Sequence, residues 1–230
     1  MKYVPPGGEP GEYTQWKQEN RAIQNPLPFD ALGFPRTSVK AALLSKQGWI
    51  CPYTLLTIAS VEACHIEHVM QQATYPELAA EFNNMLACYP ETGGKKIGFG
   101  APEKGNKDGS RDNFLSPFEK ACEVRCQYQQ DGSITGQDKR ASQTIDDVLK
   151  LNHPSLREKR VAAFRGCGIS VRPSRGKVRR PNPASLKQAR YLATQIMQKD
   201  GSGRLASFCV AIHQVAQIYV DILQNTETAR

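Results

Sequence analysis

A periodic apolar series near the end of the chain constrains its fold more than any other feature. Leu205, Phe208, Ile212, Val215, Tyr219 and Ile222 follow one another at steps of 3, 4, 3, 4 and 3. Such steps keep one stripe of a helix against a single neighbour along its length. A shorter series, Leu186, Ala189, Ala193 and Ile196, runs before it at steps of 3, 4 and 3, with a polar stretch over 199–203 between. The pattern predicts a C-terminal helical hairpin over residues 184–230, its seam either buried in the chain's own core or docked on a partner subunit. The stretch 205–223 is interrupted by His213, Gln214, Gln217 and Asp221. It therefore falls short of the ~18 apolar residues that a membrane span requires.

The rest divides by composition. Residues 1–36 are rich in Pro, Gly and polar groups and read as an extended N-terminal arm. From Thr37 the pattern turns helical, with Ser38 as a cap, Val39, Leu43 and Leu44 on one face, and Gly48 as the stop. Residues 49–105 carry short β-like runs (WICPY, ACHIEHV and NMLACY), a short helix near 75–82 and a glycine-rich stretch from Gly93. A hairpin is expected over 123–135 around Asp131-Gly132. Ile145, Val148 and Leu149 share a helical stripe, and Pro154 suits the first turn of a helix running toward Phe164. With 40% hydrophobic and 23% charged residues the chain is composed to fold.

Charge and cysteine usage narrow the setting. Thirty Lys and Arg against 22 Asp and Glu give a net charge of +8. Five of the cations (Arg172, Arg175, Lys177, Arg179 and Arg180) fall within nine residues punctuated by Pro and Gly. That segment, 167–183, reads as a basic linker loop able to follow phosphates. The first sixteen residues hold one lysine and no apolar core, so no secretory signal is expected, and the seven irregularly spaced cysteines do not suggest a disulfide framework. A cytoplasmic location, with no membrane partner, is the resulting expectation.

Chemistry concentrates in one tetrapeptide. Two of only four histidines lie in His65-Ile66-Glu67-His68. On a strand, His65 and Glu67 share one face while His68 points to the other. A carboxylate beside an imidazole makes a hydrolytic pair, the one suited to a hard divalent cation and the other to taking a proton from water. The spacing is not that of the HExxH metalloproteases, and GFGAPEKGN lacks the spacing of a nucleotide phosphate loop. Cys122 and Cys126 read as packing cysteines, His153 as a helix-start residue and His213 as a satisfied core histidine.

Several blocks in order extend this reading: QGWICPYT at 47–54, ACHIEHV at 63–69, FNNMLACYP at 82–90, GFGAPEKGN at 98–106, FLSPF at 114–118, CEVRCQY at 122–128, DGSI at 131–134 and LNHPSLR at 151–157. Together they resemble the HNH endonucleases of the Septu and retron-associated anti-phage group, from about residue 41 to about 160. The resemblance implies an α+β, mostly helical fold with a central ββα-metal (HNH) motif in a nuclease domain over 37–166. It implies a metal-dependent endonuclease acting on DNA or RNA with one Mg²⁺ or Mn²⁺. The partner it implies is an ABC-type ATPase, within an anti-phage complex that in some systems includes a retron. By the same resemblance Glu67 is a metal ligand and His68 the general base. Asn84, with Asn83 as fallback, orients the histidine or helps hold the metal; Lys104 grips a phosphate, and His65 supports the site.

Two departures qualify the resemblance. Cys51-Pro-Tyr-Thr54 and the single Cys88 stand where many such nucleases carry two CxxC pairs, so no structural zinc is expected. Trp49, Tyr53, Phe82 and Phe99 are expected to replace that staple by packing. Ala101 occupies a position often used for a metal ligand, leaving Glu103 or Asn106 as substitutes. The alternative these departures favour is a catalytically degenerate nucleic-acid-binding adaptor in the same kind of complex.

Overall fold

The computed structural model describes residues 1–21, 23, 26–29, 31–92, 95–105, 113–169 and 183–228. The chain is α+β, about 44% helix and 8% strand. The basic segment holding Arg172, Arg175, Lys177, Arg179 and Arg180 lies outside the described residues, as does Asn106.

The N-terminal segment is not the extended arm its composition suggests. Helix α1 spans Gly11–Arg21, with Glu12 in its first turn and Arg21 in its last, both favourable for the helix dipole. Tyr13 and Trp16, three residues apart, stack at 5.5 Å on its buried face, and Phe34 packs edge-on against both. Two aromatic anchors in a polar helix leave no apolar stripe for periodicity to detect. Helix α2, Arg36–Gln47, starts after Pro35 and not at a Ser38 cap. It ends at Gly48, whose φ of 68° is a left-handed stop. A Cβ at Gly48 would lie 2.7 Å from Leu205 Cγ. Gly48→Ala is accordingly expected to cost about 2 kcal/mol, from left-handed strain together with overpacking, measured by urea unfolding.

Two short strands follow. β1, His65–His68, pairs antiparallel with β2, Met85–Cys88, in the register His65↔Cys88, Ile66↔Ala87, Glu67↔Leu86 and His68↔Met85. β2 is buried along its whole length. The Gln47 amide bridges α2 to it, Nε2 donating to the Ile50 and Ala87 carbonyls while Oε1 accepts from Ala87 N–H. The WICPY run forms only an isolated bridge, Ile50↔Thr57. The expected helix near 75–82 is two 3₁₀ turns, Pro76–Leu78 and Phe82–Asn84. The one-turn helix α3, Ala101–Lys104, follows β2 in sequence and returns against β1 through Lys104.

The C-terminal half is mainly helical. α4, Cys122–Arg125, leads into a hairpin of β3, Cys126–Tyr128, and β4, Ile134–Gly136, which turns at Asp131-Gly132 as expected. α5, Lys139–Gln143, continues into a π-helical turn, Thr144–Val148, and α6 spans Pro154–Gly166 with Pro154 in its first turn. Arg160 of α6 is fully buried and donates to the carbonyls of Gly132 and Leu151, tying the hairpin turn to the loop before the helix.

α7, Pro183–Gln195, and α8, Cys209–Thr228, pack on each other as the predicted hairpin. The seam differs at its start. Leu205 and Phe208 precede α8 and are pinned by backbone bonds to Gly48 and Leu55. Ile212 and Val215 are buried in the chain's own core, which also takes in Met1, Val4 and Tyr13. Gln214 anchors α8 to β3, donating to the carbonyls of Glu123 and Cys126 and accepting from Tyr128 N–H. Among the described residues no helix is long and apolar enough to cross a membrane.

Candidate functional site

Strand alternation sets the chemistry of β1. His65 and Glu67 project from one face, and the buried Lys104 rises from α3 to meet them. Its Nζ donates to Glu67 Oε1 and to the His68 carbonyl, both at 2.8 Å. With a side chain only 1% exposed, Lys104 is a counter-ion beneath the carboxylate and not the outward phosphate grip expected of it. Burial explains the difference, since an ammonium withdrawn from water must keep its partners.

His68 ends the strand with both ring nitrogens engaged. Nε2 lies 2.9 Å from the Ala79 carbonyl and Nδ1 lies 2.8 Å from Gln72 Nε2. A carbonyl can only accept, so Nε2 carries the proton and Nδ1 presents the lone pair. Burial pushes the imidazole pKa down to about 4, against the pull of the Ala79 carbonyl and with help from the Lys104 charge. The ring is therefore neutral near pH 7. Phe29 packs edge-on against it at 4.6 Å.

Asn84 acts on the segment between the strands. Its Oδ1 accepts from Met70 N–H, and its Nδ2 donates to the carbonyls of Met70 and Leu78. Both ends of that segment are thereby clamped, and with them the Ala79 carbonyl that orients His68. This fits the orienting half of the expectation. The amide is spent on backbone and does not line the cleft, which sets aside its direct use as a metal ligand. Asn83 faces elsewhere, accepting from Gly7 N–H and Lys46 Nζ. Asn84→Ala is expected to remove about 2–3 kcal/mol of stability, because the Met70 N–H and carbonyl lose their partner while the Leu78 carbonyl keeps the Glu81 N–H; thermal unfolding measures it.

His65, Glu67, His68, Gln71, Gln72 and Lys104 border a cleft of about 430 Å³. His65 Nδ1 lies 2.6 Å from the Pro90 carbonyl, which places a proton there, so that in the neutral ring Nε2 is the lone-pair nitrogen. Nε2 is buried without a hydrogen-bond partner and stands 3.9 Å from Glu67 Oε2. Among the described residues, no group of three or more His, Cys, Asp or Glu side chains forms a metal cluster. Ala101 is buried on α3, and Glu103 does not line the cleft.

No family model matches the sequence. Nor does any curated protein match it. The geometry of the cleft is therefore the basis for assigning a function.

The cysteines are all free. Cys51 and Cys88 hydrogen-bond each other, with Thr54 beside Cys51. Burial alone would push the Cys51 thiol up, but those bonds outweigh it and bring it down to about 6. Burial and the same bond push Cys88 up. Tyr53, Phe82 and Phe99 are buried near this part of the core as expected, whereas Trp49 is partly exposed beneath the Arg204 guanidinium. Cys122 and Cys126 are buried, His153 stands at the start of α6, and His213 bonds the Ala193 carbonyl.

Three contributors receive no role from the sequence, although Gln71-Gln72 closely follows the ACHIEHV block. Gln72 had a local signal, lying four residues beyond His68. Phe29 and the Pro90 carbonyl had none, since each reaches its histidine through tertiary packing.

Proposed function

We propose that the chain is a metal-dependent endonuclease that hydrolyses phosphodiester bonds of nucleic acid, with Glu67 and His68 at its centre. The observation that carries this reading is that His68, whose Nδ1 is the ring's acceptor nitrogen and is capped by Gln72, borders the same cleft as a carboxylate locked in place by Lys104. The chain order β1, β2, α3, with β1 and Lys104 of α3 lining the cleft, is in keeping with a ββα-metal nuclease.

The donor set fits a divalent cation. The Glu67 carboxylate keeps Oε2 toward an orphaned buried nitrogen, an arrangement left incomplete by protein atoms alone. A cation held by Glu67 supplies charge neutralisation on the scissile phosphate. His68 Nδ1 takes a proton from the attacking water as its oxygen bonds to phosphorus, and the P–O ester bond opposite breaks, its oxygen protonated from solvent. The Gln72 amide, which now caps Nδ1, gives way to that water. The Ala79 carbonyl keeps the Nε2–H in place and stabilises the ring once it is charged. Asn84 acts at one remove, by fixing the segment that carries this carbonyl.

The resemblance in sequence extends the proposal to an anti-phage complex with an ABC-type ATPase, the substrate being DNA or RNA. The buried Ala101, which gives α3 no donor in the cleft, favours the adaptor as second reading. Incubating the purified chain with supercoiled plasmid and with total RNA in Mg²⁺, Mn²⁺ or EDTA separates the two, with and without the ATPase. A nuclease gives metal-dependent cleavage of one substrate. Salt-sensitive binding without cleavage, even with the ATPase present, leaves the adaptor.

A further inference from the structure

We infer that His65 is a direct ligand of the cation beside Glu67, so that the cleft selects a transition-metal dication of the Mn²⁺ class over Mg²⁺. This rests on the reading that the cleft holds a divalent ion.

Three observations converge on His65. First, β1 places it on the same face as Glu67, two residues away, with Lys104 fixing the carboxylate from below. Second, its Nδ1–H is committed to the Pro90 carbonyl. Metal-binding histidines characteristically donate their other ring N–H in this way, which fixes the tautomer and aims the lone pair. Third, the aimed nitrogen is buried and has no hydrogen-bond partner, although buried polar atoms are normally satisfied.

The spacing agrees. Nε2 and Oε2 are 3.9 Å apart, too far for a hydrogen bond to each other. It is a little less than two metal–ligand bonds of about 2.0–2.2 Å laid end to end. One ion held between them could therefore touch both atoms. Mg²⁺ takes oxygen donors and holds its water, whereas imidazole suits the later first-row dications and the carboxylate admits Mn²⁺. A nitrogen–oxygen pair as the protein's share of the shell moves preference away from Mg²⁺.

The test uses the full chain without nucleic acid. Mn²⁺ and Mg²⁺ are titrated by calorimetry into the wild type, His65→Gln and Glu67→Gln, with thermal melts establishing that each is folded. The wild type is expected to bind Mn²⁺ at least about tenfold more tightly than Mg²⁺. His65→Gln is expected to erase that preference, and Glu67→Gln to weaken both ions. Electron spin-echo measurements on the Mn²⁺-loaded wild type are expected to show a directly bound imidazole ¹⁴N, retained in His68→Ala and absent in His65→Gln. The spin-echo signal reports on the wild type even if a variant fails to fold.

Mn²⁺ bound without a nitrogen coupling, or a preference unchanged in His65→Gln, overturns the role of His65. Neither outcome touches the nuclease reading, which stands or falls on metal-dependent cleavage. A nitrogen coupling in a chain that never cleaves nucleic acid would uphold His65 and remove the nuclease.

Discussion

His68→Ala is expected to lower the rate of phosphodiester cleavage by about 10²–10⁴-fold, the usual contribution of a positioned general base. Burial keeps the ring neutral, its tautomer is set by the Ala79 carbonyl, and the residue borders the cleft with Nδ1 capped by Gln72. The lost bond to that carbonyl and the lost contact with Phe29 make the alanine variant less stable by about 1–2 kcal/mol. His68→Gln serves as its companion, because an amide N–H can replace the Nε2 donor while providing no base. Single-turnover cleavage with thermal melts of both variants makes the distinction. Equal loss of activity in two folded proteins identifies the base; activity retained in either one removes His68 from that role.

The largest effect on stability is expected at Arg160. Its guanidinium is fully buried, donates to the carbonyls of Gly132 and Leu151 at 2.7 Å each, and lies over the Tyr128 ring. Burial lowers its pKa only to about 10, so it remains charged at neutral pH. Arg160→Met keeps much of the volume but leaves two buried carbonyls without a donor. A loss of about 3–5 kcal/mol follows from two charge-assisted bonds. At this chain length that corresponds to roughly 6–20 °C in Tm. Calorimetry of the variant checks it, and a shift within a degree or two would show that the carbonyls find other partners. Since Arg160 lies on α6, away from the β1 cleft, residual activity of the folded fraction should be unchanged.

The sequence makes the fold and the site legible only where the signal is local. The alternation in HIEH and the apolar MLAC run correspond to the two paired strands, and Asp131-Gly132 to the observed turn. The heptad-like steps over 205–222 identified α8, but periodicity could not show that Leu205 and Phe208 would be held outside the helix by Gly48 and Leu55. α1 carries no periodic signal because only Tyr13 and Trp16 bury an apolar face. At the site, residue types were legible and their partners were not. A lysine in a glycine-rich stretch gives no sign that it will be buried under Glu67. An asparagine before a strand does not announce that three backbone groups will claim its amide.

The most direct measurement compares the wild type with Glu67→Gln on one labelled oligonucleotide of the susceptible class, in Mn²⁺ and in EDTA, with binding recorded alongside cleavage. Metal-dependent hydrolysis at the β1 cleft predicts cleavage only by the wild type in Mn²⁺, while the oligonucleotide is still bound in the other three conditions. Cleavage by the wild type in EDTA, or by Glu67→Gln at the wild-type rate, would contradict it.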